Sequence, residues 1–315
     1  MLKVLCRKLS FIGLSLFIVS GLIFFLVEIM PGDVAQLILS QYATPEALAA
    51  LREKLGLTKP PHVRYLLWIG RILRGDFGES LYLSGVRIGP LVLRRALNSA
   101  VLCALALAGF VPLSLGLGTV AGLNEGKRLD SFITIFGLFA LSLPEFVTGI
   151  FLIVVFSLVL HWFPPFSSIP PGTNLFESVR YLILPTASVS LVMFGYVARM
   201  TRSSMITVLR SNYIRTAILK GLPKHYVIFK HALKNALLPS ITVIGMNIGW
   251  LFGGLIVVES LFGYPGLGYL MVLALRSRDV PLIEATVLFI TLSYLLSNFA
   301  TDLIYLILNP RIRYK

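Results

Sequence analysis

The sequence predicts an all-α polytopic membrane protein with six transmembrane helices. Only 13% of its 315 residues are charged and 57% are hydrophobic, whereas a soluble globular domain carries about 25% charged residues. The mean hydropathy is +0.86. The apolar residues also fall into blocks of about 18 residues or more, the length with which a helix crosses about 30 Å of hydrocarbon. These observations exclude a soluble globular fold.

The first apolar block, residues 9–27, follows three basic residues. A cleavable secretory signal would have a shorter apolar core, followed by small residues at a cleavage site. Here the block leads directly into residues 28–33, which offer no such site. We therefore expect residues 1–28 to remain as the first transmembrane helix, with a cytoplasmic N-terminus.

Five further apolar blocks predict the other transmembrane helices. Several contain proline, which is tolerated there because neighbouring helices and polar side chains satisfy the freed carbonyls. Two blocks exceed the length of a straight span, which predicts tilt or a kink. The blocks cover residues 96–123, 131–161, 181–199, 236–258 and 282–308.

The distribution of Lys and Arg predicts the orientation, because short cytoplasmic loops are enriched in these residues. With the N-terminus inside, cytoplasmic segments hold more than half of the 28 bases. The two short outer loops carry only Arg180, Arg276 and Arg278. Both termini are therefore predicted to be cytoplasmic, with residues 96–308 as a five-helix core and residues 309–315 as the C-terminal tail.

The long outer loop, residues 29–95, is predicted to contain short helices. Residues 44–54 begin with Thr-Pro-Glu, a sequence typical of a helix start. A second amphipathic piece, residues 65–73, places Leu66, Ile69 and Leu73 on one face. Residues 75–78, Gly-Asp-Phe-Gly, then predict a turn.

A basic stretch without acidic residues, residues 213–239, lies between two apolar blocks. It predicts two helices, residues 203–220 and 224–236, separated by Gly-Leu-Pro, since Gly suits a helix end and Pro a helix start. On the second helix an apolar stripe follows helical spacing, formed by Tyr226, Phe229, Leu233 and Ala236. One interpretation is that the bases only hold the topology. The other is a docking element for the groove of a cytoplasmic partner, which also explains the break and the stripe.

This loop resembles the cytoplasmic coupling loop of ABC importer permeases, whose general signature is E-A-A-x-x-x-G-x9-I-x-L-P. Here Arg215-Thr216-Ala217 replaces the acidic start, as in the peptide/opine/nickel branch of binding-protein-dependent transport inner-membrane components. Other motifs of that branch occur in order along nearly the whole chain. They are Met-Pro-Gly-Asp at 30–33, Leu-Gly-Leu-Thr-Lys-Pro at 55–60, Gly-Asp-Phe-Gly at 75–78, Glu-Ser-Leu-Phe-Gly-Tyr-Pro-Gly-Leu-Gly at 259–268, Arg-Asp-x-Pro at 278–281, and Asn-Pro-Arg-Ile-Arg at 309–313.

The resemblance implies a type I ABC importer transmembrane-domain fold in the bacterial cytoplasmic (inner) membrane. It implies four partners: a second homologous permease, two cytoplasmic ATPases and an extracytoplasmic solute-binding protein. Di- or oligopeptides are the expected substrate, with nickel or a metal chelate such as a metallophore or opine as the alternative. An exporter subunit on the same fold also remains possible, whereas a secondary transporter would more often show inverted repeats and more helices.

Within the coupling loop, residues 200–236, the resemblance assigns contact with the ATPases to nine residues. They are Tyr213, Arg215, Thr216, Ala217, Lys220, Gly221, Leu222, Tyr226 and Phe229.

The chain lacks the motifs of an enzyme. There is no G-x-x-x-x-G-K-[ST] phosphate loop, so ATP and Mg²⁺ are expected in the partner subunits and no cofactor in this chain. There is no H-E-x-x-H motif, and the two cysteines, Cys6 and Cys103, are far apart. We expect neither a metal site nor a disulfide.

Ionisable groups inside a span are costly and need a reason. Glu145 lies midway along the block 131–161, where it either faces the translocation path and meets a cationic group, or pairs with a helix neighbour or with backbone freed by Pro144. Asn298 and Asp302 are four residues apart, on one face of the last block, where polar helix packing is the simpler interpretation. Glu284 is expected at the membrane interface.

Glycines recur at positions 245, 249 and 253 of the fifth block, a spacing that allows close helix packing. The resemblance also implies that this helix lines the path at the seam between two permeases. The residues expected along the path are Glu145, Asn247, Gly249, Gly253 and Asn298.

Overall fold

The computed structural model describes residues 2–29, 44–46, 48–49, 58–170 and 172–308. In this part of the chain the regular structure is helical, and the only β pairing is a single bridge between Glu79 and Arg87. Five helices are long and apolar enough to cross a membrane. Two further helix pairs pass the same test but are bent at a short break, which gives up to seven spans. The all-helical membrane architecture is therefore confirmed.

The helices are numbered α1 to α11 in chain order, and two π-helical segments interrupt them. The bounds are α1 Leu2–Ile29, α2 Pro61–Leu73, α3 Ile88–Leu123, α4 Arg128–Ser142, α5 Glu145–Leu152, a π-helical segment Ile153–Val159, α6 Leu175–Leu209, α7 Asn212–Leu219, α8 Lys224–Tyr226, a second π-helical segment Val227–Ala232, α9 Leu233–Phe262, α10 Leu267–Arg276 and α11 Val280–Leu308.

Three predicted spans differ from the structure in their bounds or continuity. α3 begins at Ile88 rather than at residue 96, and α6 extends the predicted 181–199 to Leu175–Leu209. In both cases the helix continues through polar residues, because main-chain hydrogen bonding does not require an apolar side chain. The predicted span 131–161 is broken after Ser142, where Leu143 is extended, and α5 then leaves at a bend of 107°.

The boundary predicted near residue 236 is also wrong. The chain is helical from Lys224 through the π-helical segment and α9 to Phe262, and Pro239 lies inside α9 without ending it. The end comes at Gly263, which adopts a left-handed conformation with φ of 62°. α10 was not predicted as a separate helix. The predicted helix at 44–54, the motifs at 30–33 and 55–57 and the tail 309–315 lie wholly or largely outside the described residues.

The described chain forms two compact units. The first comprises the residues up to Asn98 together with Gly266–Leu295, and the second comprises Ser99–Pro265 with the residues from Leu296 onward.

In the first unit, α2 packs against α1 through aromatic rings and an ion pair. The Tyr65 and Trp68 rings lie 5.4 and 5.8 Å from the Phe24 ring, and the Arg64 guanidinium donates to the Glu28 carboxylate at 2.9 Å. The predicted apolar face is not the packed one, because Leu66 is 66% and Leu73 is 81% exposed. Contacts between the aromatic rings of α2 and those of α1, which is distant in the sequence, determine which face of α2 is packed.

Also in the first unit, the carboxylate of Asp279 joins two connecting segments. It accepts hydrogen bonds from the Ser80 hydroxyl at 2.5 Å, from the Tyr82 amide at 3.1 Å and, at the start of α11, from the Leu282 amide at 3.2 Å. Asp279 and Ser80 are both buried. Nearby on α11, Glu284 is buried, with 5% of its surface exposed.

In the second unit, glycines allow α3 and α6 to approach closely. A Cβ atom on Gly118 would lie 2.5 Å from the Ala198 carbonyl oxygen, and one on Gly122 would lie 2.7 Å from Met205 Cβ. Such spacings permit van der Waals packing, which drives helix association in lipid. This contact fixes α6, the helix that leads into the coupling loop.

Candidate functional site

Within the predicted coupling loop, residues 200–236, the break after α7 is a defined helix-ending motif. Gly221 has φ of 79°. Its amide donates to the Ile218 carbonyl at 2.9 Å, and the Leu222 amide donates to the Ala217 carbonyl at 3.4 Å. This is the Schellman pattern, in which the residue after the helix is left-handed. The glycine predicted at the break is therefore required by its backbone conformation, while Pro223 directly precedes the next helix.

A small apolar core lies beneath this loop. Ile214 and Ala217 of α7 are buried with Met205 of α6, and they pack with three residues of the following helix, Val227, Ala232 and Ala236. Leu222 and Ile228 pack partly against this core. The loop is therefore a folded two-helix element that is held to the end of α6.

The four residues of the predicted stripe on the second helix are divided between exposed and buried positions. Tyr226 and Phe229 are exposed, and Phe229 is 72% exposed. The π-helical segment Val227–Ala232 has wider turns than an α-helix, so the predicted three- and four-residue spacing does not hold across it. Of the predicted stripe, Ala236 is in the core and Leu233 is half-buried.

The exposed surface of the element combines apolar and basic side chains. Ile218 and Leu219 of α7 are exposed beside the break, and Leu219 is 79% exposed; neither was predicted. The Lys230 ammonium lies 4.8 Å from the centre of the Tyr226 ring and donates to its hydroxyl at 2.5 Å. No Asp or Glu occurs between residues 203 and 258. The surface thus combines exposed apolar and basic side chains and carries no acidic residue.

The structure separates the nine predicted coupling residues by exposure. Ala217 is buried and Leu222 is half-buried, so both hold the element together. The others are exposed, namely Tyr213, Arg215, Thr216, Lys220, Gly221, Tyr226 and Phe229. Three of these have local side-chain hydrogen bonds. Besides the Tyr226 hydroxyl, which accepts one from Lys230, the Tyr213 hydroxyl accepts one from Asn235 at 3.0 Å, and the Thr216 hydroxyl donates to the Asn212 carbonyl at 3.0 Å.

An ion pair that the sequence did not reveal connects the start of α4 with α6. The buried carboxylate of Asp130 accepts two hydrogen bonds from the Arg202 guanidinium, at 2.5 and 2.7 Å. It also accepts one from the Gly126 amide at 2.9 Å. Paired, planar contacts of this kind are among the stronger charge-assisted hydrogen bonds. They link the loop before α4 to the helix that carries the coupling element.

Glu145 is the first residue of α5, directly after the break. Its backbone carbonyl accepts a hydrogen bond from the Ser188 hydroxyl at 2.8 Å. Its carboxylate lies against Gly254 of α9, where an added Cβ would be 3.2 Å from Oε1. The side chain is half-buried, and within the described chain nothing donates a hydrogen bond to its carboxylate.

The other residues expected along the path occupy α9 and α11. The Asn247 side chain donates to the Val243 carbonyl of its own helix at 2.7 Å, and Gly249 is buried. Gly253 lies in α9, but its surroundings are outside the described part, and Asn298 is half-buried in α11. A Cβ on Gly245 would lie 2.5 Å from a methyl carbon of Thr301, so this glycine permits close packing with α11, as its spacing predicted.

Comparison with known protein families identifies this architecture. Residues 114–314 match the family of binding-protein-dependent transport system inner membrane components, and residues 1–81 match the N-terminal membrane component of such systems. The chain belongs to this family. The resemblance noted from the coupling loop is therefore confirmed, and this inner membrane component is a multi-pass protein of the bacterial inner membrane and a permease subunit of a transport system.

Named relatives of this inner membrane component are similar over nearly their whole length. A probable peptide ABC transporter permease protein of Sinorhizobium fredii is 37% identical over 93% of both chains. A glutathione transport system permease protein of Salmonella typhimurium is 35% identical over 100% of both chains. A putative peptide transport system permease protein of Brucella abortus is 36% identical over 94% of both chains.

Proposed function

We propose that this permease forms one half of the translocation pathway of an ATP-driven importer for di- and oligopeptides. The observation that carries the proposal is the full-length similarity to permeases named for peptide and glutathione transport. The exposed coupling element supports it, because a subunit that does not bind ATP must receive its driving force through a contact surface.

The proposed assembly contains a second homologous permease, two cytoplasmic ATPases and an extracytoplasmic solute-binding protein. ATP binding and hydrolysis take place in the ATPases, since this chain lacks the phosphate loop. The proposed topology has six spans with both termini in the cytoplasm. It counts the bent pair α4 and α5 as one span. Residues 29–95 lie on the outer side, residues 96–308 form the five-helix core, and residues 309–315 form the cytoplasmic tail.

The proposed coupling surface is the exposed face of the element between α6 and α9. Its apolar centre, Leu219 and Phe229, would enter a groove on an ATPase, while Arg215, Lys220 and Lys230 would meet acidic side chains at the rim. Buried apolar anchors with a charged rim are typical of protein interfaces. The core beneath the loop and the Asp130–Arg202 ion pair would then transmit movement of this surface to α6 and α4.

The proposed translocation path runs along α5, α9 and α11, past Glu145, Asn247, Gly249, Gly253 and Asn298. Closure of the ATPase dimer would shift the coupling element and open this path toward the binding protein. This motion would give alternating access, driven by the docked ATPases.

The test is purification of the tagged chain from its own membrane in mild detergent, followed by reconstitution in proteoliposomes. Two ATPases, a sister permease and a binding protein should copurify, and uptake of radiolabelled peptide should require both ATP and the binding protein. A complex that transports without any binding protein would indicate export. If the chain purifies without ATPases from a stable complex, the proposed coupling surface is wrong.

A further inference from the structure

The break between α4 and α5 exposes irregular backbone within a predicted span. Ser142 and Pro144 are exposed, Leu143 is extended with φ of −100° and ψ of 128°, and the helices on either side are bent by 107°. In lipid, non-helical backbone is tolerated only where it is buried in protein or lines a water-filled cavity. Because the second unit leaves this backbone uncovered, the break is suited to the aqueous side of the permease and not to the lipid side.

Several groups at the break attract positive charge. The carbonyls of the last turn of α4 point toward it, and they carry the negative end of the helix dipole. Neither extended Leu143 nor Pro144, which has no N–H, continues the α4 hydrogen-bond ladder. The Glu145 carboxylate follows directly, and the amino end of α5 stabilises a negative charge at that position.

At Gly254, α9 presents no side chain to the Glu145 carboxylate. Gly254 faces it from α9, where any side chain would approach Oε1 to 3.2 Å. Within the described residues no donor or cation occupies the carboxylate. The Ser188 hydroxyl instead holds the Glu145 backbone, which fixes the start of α5 without consuming the acidic group.

The chemistry of this site fits an ammonium group better than a metal ion. An ammonium group has three donors, which one carboxylate and nearby carbonyl oxygens can accept. A protein-bound divalent metal needs several ligating side chains, and the described residues contain no group of three or more His, Cys, Asp or Glu that could hold one. We propose that Glu145 and the carbonyl end of α4 bind the protonated amino terminus of a peptide as it passes through the permease. This inference rests on the proposed function and names the part of the substrate that this site recognises.

The experiment uses the complete importer with its binding protein in proteoliposomes. It compares uptake of a tripeptide with a free amino terminus and of the same tripeptide with a hydroxyl group in its place. The ratio of the two uptake rates is measured for the wild type, for Glu145→Gln, for Glu145→Asp and for the matched control Glu177→Gln, whose side chain is exposed at the start of α6. The contribution of the binding protein to this ratio is the same in all four complexes, so it cancels in the comparison.

The wild type and Glu177→Gln should prefer the free amino terminus equally. Glu145→Gln should reduce this preference by at least about tenfold, as expected for loss of a charge-assisted hydrogen bond, and Glu145→Asp should retain most of it. If Glu145→Gln keeps the wild-type preference, the amino-terminal site is refuted. If the wild-type complex takes up neither peptide although it is assembled with its ATPases and binding protein, the proposed peptide importer itself is refuted.

Discussion

Replacement of Gly221 by valine should leave the permease in the membrane but uncouple transport from ATP hydrolysis. Gly221 is left-handed, with φ of 79°, and an added Cβ would meet no atom within 4 Å. The cost of a side chain is therefore conformational and not steric. It amounts to about 1–2 kcal/mol for an ordinary residue in this region and to more for a β-branched one.

This conformational cost is large relative to the stability of the break, which two hydrogen bonds hold. The two Schellman hydrogen bonds contribute about 0.5–1.5 kcal/mol each, so the penalty is comparable to the stability of the break. A change of one or two kcal/mol alters a population by a factor of about 5–30. We expect the docking-competent shape to be depleted by a factor in this range in Gly221→Val, less in Gly221→Ala, and least in Gly221→Asn, since asparagine tolerates the left-handed region.

The assay is the number of peptides transported per ATP hydrolysed in proteoliposomes. The matched control is Gly172→Val, because Gly172 also has a left-handed φ of 86° and open space around its Cβ, but lies outside the coupling loop. It should couple normally. A Gly221→Val complex with wild-type transport per ATP, or a series that does not follow the order Asn, Ala, Val, would refute the reasoning.

Three further changes test the contacts that hold and present the coupling element. Gly118→Leu should disrupt packing between α3 and α6, because its Cβ would lie 2.5 Å from a carbonyl oxygen. Gly116→Leu should be tolerated, because a Cβ at that position would have no atom within 4 Å. Equal thermal stability of the two variants in detergent would contradict this. Asp130→Asn should lower the free energy of unfolding by about 2–3 kcal/mol by leaving the Arg202 guanidinium without its charged partner, and a double-mutant cycle with Arg202→Gln that shows no coupling would refute the role of the pair. Phe229→Ala should weaken the binding free energy between the permease and the ATPase by about 2 kcal/mol, as for an interface anchor, and so reduce the amount of ATPase that copurifies. If the amount of copurified ATPase does not fall, the contact lies elsewhere.

Several features of the fold could be predicted because their causes are local. The apolar blocks located the membrane helices, since a helix in lipid satisfies its backbone within its own segment. The glycine at the break after α7 was predicted for the same reason, since a Schellman motif depends on a few consecutive residues. The start of α3 and both ends of α6 were not predicted, because these helices continue beyond their apolar blocks.

Other features depend on residues that are distant in the sequence. The bidentate contact between Asp130 and Arg202 was not predicted, because it becomes visible only with α4 and α6 in place. The apolar stripe of the second helix was predicted from α-helical spacing, but its four residues do not share one face. A π-helical segment, for which the sequence shows no clear signal, changes the register at Val227–Ala232.

The sequence by itself determined that the chain is a multi-span membrane protein of the importer permease family, and it predicted the coupling loop. Only the tertiary structure decided which side chains that loop exposes, how close α3 and α6 approach, and that the Glu145 carboxylate lies against Gly254 with no hydrogen-bond donor among the described residues. The reason is physical: in a membrane, an apolar side chain gains little by leaving lipid for the protein interior, so hydropathy marks the spans but does not distinguish their faces. Packing between residues far apart in the sequence makes that distinction.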